Sequence, residues 1–464
     1  MFVTAKLRVL SDNTGAYIEI PGLLTPSGVL MPLLDYCLAR SHDRSLMWTD
    51  KVIRSVQMFL EYLQCHQHQL DAQQVFRNFA QRLYSGTFDP NSGLDPSGLG
   101  WSPRSGQDAR AIISNLTAFF EWLGHERPAA AQVNPRYACD AFDQMCDHAA
   151  YQFRRERAML GHLWGGSVGV TPLGHKIRAQ RAVRVRATEP PAFPEERFMD
   201  LLTKGFKVGD RLDYRGILIT LLLHGAGFRE SEPFHLYIED VMPDPANPSR
   251  AKVRIHHPSQ GYAPATWHDG LGQPRKGSRA AYLADKFGLL PRTQLLDTRG
   301  AGWKGGLHDG PYYKEAYWFQ PEYGELFLQI WQRYLHDVAR VDRLHPFAFI
   351  NLSREPVGEM YCLAQYNKVH AAACRRIGLE VGKALGTTPH GHRHAYGQRL
   401  RRAGVDKLYV QRFMHHSSME SQETYTQPNS KEVETELQAA AQRMQTLTDT
   451  SVILSKLSLK GDAV

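Results

Sequence analysis

Apolar and polar residues alternate near the start of the chain and then recur at helical spacing. The alternation over residues 6–10 and 16–20 predicts one or two short strands. Apolar positions every three or four residues then predict one helix that begins at Thr49 or Asp50, and another that contains the run from 112 to 123. We therefore expect a helical domain after the strands.

The remainder of the chain contains a second set of predicted helices. The Pro-rich stretch 190–194 follows a basic segment and is typical of a joint between domains. An apolar run at 216–223 is typical of a buried helix, whereas the long stretch 242–321 predicts irregular structure. The safest domain boundary therefore lies near residue 190. Further helices are predicted near residues 323–340, 361–377, 392–403 and 431–447.

The composition is that of an ordinary globular protein. The chain has 464 residues, of which 42% are hydrophobic and 22% are charged, enough apolar material for two or three domains. The run 216–223 is far shorter than the ~20 residues of a membrane-spanning helix, and the first residues lack the apolar region of a signal peptide. Six cysteines without a Cys-x-x-Cys pair predict reduced, buried thiols. We expect a cytoplasmic protein.

The positive charge is concentrated in two segments. The net charge of the chain is +8, but residues 152–187 carry eight Lys and Arg against one Glu, and residues 371–415 carry nine against two acids. Two such segments are typical of a protein that binds a polyanion such as nucleic acid. A solvated face with a flexible basic linker is the alternative that the charge pattern leaves open. The candidate DNA contacts in the first segment are Arg178, Arg181, Arg184 and Arg186.

Four short motifs in the second half carry residue types suited to phosphate chemistry. Each motif is common by itself, but the four motifs in this order along one chain are distinctive. They are Gly225-Ala-Gly-Phe-Arg229-Glu-Ser-Glu232, Lys304 within Gly302-Trp-Lys-Gly305, Thr388-Pro-His390-Gly-His-Arg393-His394, and Met414-His-His416-Ser-Ser418, with Tyr425 nine residues after His416.

This order of motifs resembles the tyrosine recombinase (phage integrase) family, whose catalytic domain reads G-x-R-x-S-E, a hairpin lysine, T-P-H-x-x-R-H, G-H-S-S and then the tyrosine. The resemblance covers roughly residues 194–430. It implies a mainly α fold with a small β component, in which a helical core-binding domain and a mixed α/β catalytic domain form a clamp on DNA. The implied parts are an N-terminal segment with short strands (1–44), the core-binding domain (45–165), a basic Pro-containing linker (166–193), the catalytic domain (194–430) and a C-terminal helical tail (431–464).

The resemblance also implies roles for individual residues. Tyr425 would be the nucleophile, and the activating residues would be Arg229, Lys304, His390, Arg393 and His416. The chain departs from the family pattern in three places: His392 replaces the usual Leu, His415 replaces the Gly of G-H-S-S, and the stretch 245–300 is longer than the usual hairpin. Because of that length, Lys276 is the alternative to Lys304.

The chemistry of strand cleavage suits this set of residues. Attack on a phosphodiester builds negative charge on the non-bridging oxygens, and two guanidinium groups can stabilise that charge without a metal. Arg229 and Arg393 fit this role, and lysine would be a poor substitute for either. The histidines can donate to the phosphoryl group or exchange a proton. A phenol has a pKa of about 10, so a cationic pocket is needed to activate Tyr425.

Two cofactor interpretations are less consistent with the sequence. His390, His392 and His394 could ligate a metal ion, but Arg393 among them would repel a cation. The stretch Gly300–Gly305 matches G-x-G-x-x-G, but it lacks the strand before and the helix after that a dinucleotide site needs. We therefore expect neither a metal nor a cofactor.

Three classes of function remain open at this stage. The first is a site-specific recombinase acting on double-stranded DNA, the second a type IB topoisomerase-like relaxing enzyme, and the third a non-catalytic DNA-binding protein that kept the fold. Recombination requires several protomers, and an apolar stripe along residues 433–447 offers a docking helix for a homo-oligomer, expected to be a tetramer. Accessory recombination proteins are possible partners, a membrane is not, and the expected setting is the bacterial nucleoid.

Overall fold

A computed structural model of the chain describes residues 2–10, 17–66, 71–136, 174–180, 189–269 and 271–417, with isolated positions between 145 and 156. The chain divides into two units, residues 1–184 and 185–464. The described part is mainly α-helical with three small antiparallel sheets, which confirms the predicted fold class. None of its helices is both long and apolar enough to cross a membrane.

The first unit combines a small sheet with a helical bundle. Three antiparallel strands pack on the helices through one shared core, in which Ile20 and Leu23 of the sheet join Val52, Phe76 and Leu116 of the helices. The N-terminal strands are thus part of the helical unit. The elements are β1 Val3–Leu10, β2 Tyr17–Thr25, β3 Gly28–Val29, α1 Met31–Ala39, α2 Leu46–Cys65, α3 Ala72–Ser85, α4 Gly106–Gly124 and α5 Pro128–Ala131.

Helix α2 begins earlier than the apolar pattern predicts. Its first residue is Leu46, because the Ser45 hydroxyl accepts a hydrogen bond from the Trp48 backbone N–H at 3.3 Å and caps the helix. The predicted start at Thr49 or Asp50 was therefore wrong by one turn. Helix α4 ends at Gly124 as predicted.

The second unit surrounds one buried helix with further helices and a three-stranded sheet. Its core is formed largely by helix Tyr214–Ala226, which is enclosed on all sides. The elements are short helical turns at Glu195–Arg197, Phe198–Asp200 and Leu201–Gly205, β4 Lys207–Val208, β5 Arg211–Leu212, α6 Tyr214–Ala226, 3₁₀ turns at Glu232–His235, Ile238–Asp240 and Arg292–Gln294, β6 Val241–Asp244, β7 Asn247–His256, α7 Arg279–Phe287, β8 Tyr313–Glu315, α8 Pro321–Val338, α9 Leu363–Arg376, α10 Pro389–Arg402 and α11 Lys407–Phe413.

The stretch 242–321, predicted as irregular, contains a sheet and a helix. Strand β7 pairs antiparallel with both β6 and β8. Its residues Ala251, Val253 and Ile255 are buried, and the residues between them are charged, so the strand does alternate. The segment between β7 and β8 contains α7 and packs, with Tyr237, Phe347 and Met360 from outside the segment, around a second small core. The prediction failed because β8 has only three residues and because Gly and Pro interrupt the segment.

Helices α8, α9 and α10 correspond to three of the four helices predicted for the C-terminal half. The fourth predicted helix, residues 431–447, lies outside the described residues.

Candidate active site

Helix α6 ends in a tight turn that leads directly to Arg229. Gly227 closes the helix with φ of 69°, in the left-handed region. A Cβ atom at Gly227 would lie 2.3 Å from the ring of Tyr396, so only glycine fits this position. The turn therefore fixes where the backbone of Arg229 lies relative to α6.

The Arg229 side chain is held by Glu232. Nη1 of Arg229 donates to Oε1 of Glu232 at 3.0 Å, and the backbone N–H of Arg229 donates to Oε2 at 2.7 Å. Nη2 of Arg229 also donates to the backbone oxygen of His415 at 3.4 Å. The Arg229 side chain is 16% exposed.

Lys314 provides a second cation for the same carboxylate. Its Nζ atom lies 2.6 Å from Oε1 of Glu232 and 3.2 Å from the backbone oxygen of Lys304, and both side chains of the ion pair are fully buried. Burial alone would raise the pKa of Glu232, but Lys314, Arg229 and Arg393 together lower it to about 2. Glu232 is therefore ionised and orients Arg229.

Helix α10 supplies Arg393. The helix begins at Pro389, whose fixed φ suits the first helical turn. The Arg393 side chain is buried, with 2% of its surface exposed. Nη1 donates to the backbone oxygen of Gly227, and Nη2 donates to that of Met414 at 2.6 Å. Arg393 thus joins the end of α6 to the turn after α11.

His415 shapes the turn that contacts both arginines. Its φ of 52° lies in the left-handed region, which explains why glycine is usual at this position of the G-H-S-S motif. The histidine is retained by two contacts: its ring stacks on Phe228 with centroids 5.4 Å apart, and Nε2 donates to Oδ2 of Asp309 at 2.8 Å. Burial lowers the pKa of His415, while Asp309 opposes that shift.

His390 and His416 lie among these cations and are neutral near pH 7. Partial desolvation, followed by the charges of Arg393, Lys383, Lys304 and Arg229, lowers the pKa of His390 to about 4. Burial and the charges of Arg393 and Arg229 lower the pKa of His416 to about 3. Each ring therefore has one N–H donor and one acceptor nitrogen when no phosphate is present.

We expect DNA binding to take up protons at this site. A phosphate among the cations favours the charged imidazoles and raises both pKa values, so binding should strengthen as the pH falls from 8 towards 5.5. Calorimetry in two buffers of different ionisation enthalpy measures the uptake. The control is a His390→Gln/His416→Gln variant, which should take up fewer protons per DNA bound. Equal uptake by the two proteins would contradict the assignment.

Lys304 and Lys276, the two candidate lysines, have different surroundings. The charge of Lys304 contributes to the low pKa of both His390 and His416. Two residues further on, the backbone at Gly306 passes so close to the His415 oxygen that a Cβ would lie 2.2 Å from it. Lys276 lines a groove together with Tyr262 and Pro264. The choice of Lys304 over Lys276 as the lysine of the site stays a prediction.

The remaining candidate residues are Arg178, His392 and four residues that the structure does not describe. Arg178 is exposed and donates through Nε to the backbone oxygen of His175 at 3.1 Å. His392 does not join His390 and His394, whose rings contact each other at 4.4 Å, because its own ring points into the core. Four predicted site residues lie outside the described part of the chain: Arg181, Arg184, Arg186 and Tyr425.

Many charges of the second basic segment are already paired. Arg399 binds Glu195 at 2.7 Å and Arg401 binds Glu189 at 2.7 Å, while Arg393 is buried in the site. Its exposed cations include Lys383, Lys407, Arg402 and Arg412. The surface that could contact a polyanion therefore carries fewer exposed positive charges than the number of Lys and Arg residues in this segment suggests.

Sequence reasoning missed Lys314 and Asp309. Lys314 is the middle residue of β8, and neither its burial nor its contact with Glu232 is visible in the sequence. Asp309 accepts hydrogen bonds from His415, from the Tyr317 hydroxyl at 2.6 Å and from the Glu315 backbone N–H at 2.9 Å. The only sequence signal for Asp309 was the His at the Gly position of G-H-S-S, since a buried histidine requires a partner.

One protein family matches a part of the chain. The Phage integrase family matches residues 330–432, the segment that contains His390, Arg393, His416 and Tyr425. No curated protein sequence matches the chain.

Among solved structures, the chain is similar to XerH site-specific recombinase bound to difH substrate in a pre-cleavage complex. The TM-score is 0.48 at 13% identity, over 87% of this chain and 83% of that one. It is also similar to XerA recombinase, with a TM-score of 0.33 at 13% identity over 90% and 96% of the two chains. A third similar structure is a fragment of the Tn1549 transposon integrase in complex with circular intermediate DNA. Its TM-score is 0.31 at 15% identity, over 83% of this chain and 99% of that one.

Proposed function

We propose that this chain, in which residues 330–432 match the phage integrase family, is a site-specific DNA recombinase that works through a 3′-phosphotyrosine intermediate on Tyr425. The observation that carries the proposal is the meeting of Arg229 and Arg393 at one turn. The backbone oxygens of Met414 and His415, adjacent in that turn, accept hydrogen bonds from Arg393 and Arg229 respectively. Two guanidinium groups that reach the same turn from separate elements, the segment after α6 and helix α10, suit the binding of one phosphodiester.

The proposed reaction needs only groups of the chain and the DNA. The Tyr425 oxygen attacks phosphorus, the bond from phosphorus to the 5′ oxygen breaks, and the phosphate becomes a tyrosyl ester. The phenolic proton passes to a neutral imidazole of the site, and the leaving 5′ oxygen takes a proton from Lys304. In the reverse step a 5′ hydroxyl attacks the phosphotyrosine, so a strand is rejoined without ATP.

Arg229 and Arg393 supply the electrostatic part of this reaction. In a site that excludes water, positioned cations stabilise the charge that develops on the non-bridging oxygens. Glu232, with its pKa lowered to about 2, keeps the Arg229 side chain oriented without a proton change near neutral pH. Arginine suits the two positions because its planar fork matches two phosphate oxygens.

Double-stranded DNA is the proposed substrate, and a homotetramer assembled on two duplexes is the proposed active form. Exchange of strands between duplexes needs more than one nucleophile, because one tyrosine holds one strand end at a time. The basic linker arginines and the exposed cations near α10 are the proposed backbone contacts, and they carry no sequence information themselves.

The experiment that tests this function is capture of a covalent adduct in EDTA. A pool of duplexes with randomised sequence, each nicked close to the randomised region, is incubated with the full chain, denatured in SDS and analysed for protein-linked DNA. We expect adducts without a divalent ion or a nucleotide, because Arg229 and Arg393 provide the positive charge that metals give other nucleases. Loss of the adduct in EDTA with recovery on adding Mg²⁺ or Zn²⁺ would overturn the metal-free mechanism.

The sequence of the captured DNA then distinguishes recombination from relaxation. A recombinase is expected to enrich one inverted-repeat sequence and to join two duplexes that contain it. Relaxation of supercoiled plasmid with no enriched sequence would indicate a topoisomerase-like enzyme instead. Binding with no adduct under any condition would indicate a non-catalytic protein.

A further inference from the structure

Three buried histidines, one of them adjacent to Arg393 in the sequence, form a hydrogen-bonded chain in the second unit. His224 of α6, His392 of α10 and His370 of α9 have no exposed surface. Nδ1 of His224 lies 3.1 Å from Nδ1 of His392, and Nε2 of His392 lies 2.8 Å from Nε2 of His370. Three helices of the second unit are therefore joined by ring-to-ring hydrogen bonds.

Both ends of the histidine chain have partners. At one end, Nη1 of Arg399 contacts Nε2 of His224 and also bonds the Glu195 carboxylate. At the other end, Nδ1 of His370 lies 3.7 Å from Sγ of Cys374, which contacts the backbone oxygen of Thr387 at 3.7 Å. Thr387 immediately precedes the N-cap residue of α10.

The partners of His224 allow two directions of hydrogen bonding. Its Nε2 atom contacts Nη1 of Arg399, which can only donate, and lies 3.2 Å from Oε2 of Glu195, which can only accept.

The direction at His224 sets the direction along the whole chain. If Nε2 of His224 accepts from Arg399, its Nδ1–H donates to His392, whose Nε2–H donates to His370, whose Nδ1–H donates to the Cys374 sulfur. If Nε2–H of His224 donates to Glu195, each of these bonds runs the opposite way. All three rings are neutral in both arrangements, and each has one donor and one acceptor in use.

A single metal ion does not explain this cluster. His392 uses its two ring nitrogens for two different neighbours on opposite sides, so the three rings do not converge on one point. Phe193 stacks on His392 with centroids 4.2 Å apart, and Phe198 stacks on His224 at 3.6 Å, which encloses the rings in apolar surroundings.

The histidine chain connects the two segments that hold the arginines. His224 is three residues before Gly227, whose backbone oxygen accepts from Arg393, and His392 is adjacent to Arg393 in α10. A shift of α10 relative to α6 would change the separation of Arg229 and Arg393. Buried polar networks are rigid when every member is satisfied, because an unpaired member in a low dielectric is costly.

We propose that His224, His392 and His370 form a positioning network that sets the separation of Arg229 and Arg393 and thereby the rate of DNA strand cleavage. The proposal rests on the function proposed above. It predicts one of two concerted sets of neutral tautomers: His224 and His370 as Nδ1–H with His392 as Nε2–H, or His224 and His370 as Nε2–H with His392 as Nδ1–H. It also predicts that loss of the hydrogen bond from His392 to either neighbouring histidine slows DNA cleavage and leaves the affinity for DNA unchanged.

The first test is independent of catalysis. The full chain labelled with ¹⁵N-histidine is examined by NMR near pH 7, and each ring is assigned from its single His→Gln variant. The expected result is three neutral rings with the stated tautomers and with slowly exchanging N–H protons. Charged rings, or a combination of tautomers outside these two sets, would overturn the network.

The second test separates positioning from stability. His392→Leu removes both links, His392→Asn keeps a polar group towards His224, and His392→Gln keeps one towards His370. We expect single-turnover cleavage to fall at least about tenfold in His392→Leu, since small misplacements of reacting groups have effects of this size. The dissociation constant for DNA should change less than about twofold, and Asn or Gln should restore part of the rate.

The matched control is His345→Leu. His345 is another buried histidine of the same unit, 4% exposed, and its Nε2 donates to the Gly358 backbone oxygen at 3.0 Å. At a temperature where all variants are folded, this control should cleave at the wild-type rate. Equal rates for His392→Leu and wild type, or equal losses in His392→Leu and His345→Leu, would overturn the proposal. Absence of an adduct from the wild-type chain would instead refute the proposed function.

Discussion

Tyr425→Phe is expected to abolish covalent attachment to DNA while leaving DNA binding intact. The substitution removes one hydroxyl, which is the proposed nucleophile, and it removes no charge that contacts phosphate. Loss of an essential catalytic group lowers turnover by at least about 1,000-fold, so the adduct should fall below detection. The measurement is the fraction of nicked duplex that is protein-linked after denaturation in SDS, beside a binding isotherm for the same duplex.

Tyr409→Phe is the matched control for this substitution. Tyr409 lies on α11, sixteen residues before the proposed nucleophile, and is 59% exposed. The same loss of a hydroxyl at Tyr409 should leave the adduct unchanged. Peptide mapping of the wild-type adduct should locate the nucleotide on the fragment that contains Tyr425. Persistence of the adduct in Tyr425→Phe, or mapping to another tyrosine, would remove Tyr425 as the nucleophile.

The long helices could be predicted because their signals are local. The apolar spacing in α2 and α4 and the continuous apolar run in α6 each follow from one stretch of sequence. The start of α2 was wrong because a side-chain cap at Ser45 extended the helix beyond its apolar stripe. The sheet was missed for the opposite reason: β7 and β8 pair across an insertion that contains α7, and no local pattern indicates that pairing.

The site, like the fold, has a part that could be predicted from the sequence and a part that could not. The motif order locates Arg229, His390, Arg393 and His416 in the sequence, and the fold brings their elements together around one turn. The partners that orient them could not be predicted, because the contact of Lys314 with Glu232 and that of Asp309 with His415 depend on β8 and on the insertion. His392 is a further case. Its replacement of an apolar residue is visible in the sequence, but the ring partners His224 and His370 come from two other helices.

Lys304→Ala is expected to slow cleavage of ordinary DNA and to be rescued by a sulfur leaving group. Loss of a general acid typically lowers a rate about 10²- to 10⁴-fold, because the departing 5′ oxygen leaves poorly without a proton. A 5′-bridging phosphorothiolate leaves as a thiolate and needs no such proton, since thiols have a pKa of ~8.5. On that substrate the variant should cleave within about tenfold of the wild type. Arg393→Ala should stay slow on both substrates, because the non-bridging oxygens it stabilises are unchanged by the sulfur.

Lys276→Ala and Lys314→Met complete the comparison of lysines. Lys276 lines a groove of the insertion with Tyr262, so its loss should leave both rates near the wild-type value. Lys314 is fully buried on Glu232, so its loss should disturb Arg229 and should resemble Arg393→Ala in resisting rescue by sulfur. Each lysine therefore has a distinct expected pattern on the two substrates. If Lys304→Ala stays slow on the sulfur substrate while Lys276→Ala or Lys314→Met is rescued, the rescued position is the general acid, and Lys304 only binds phosphate.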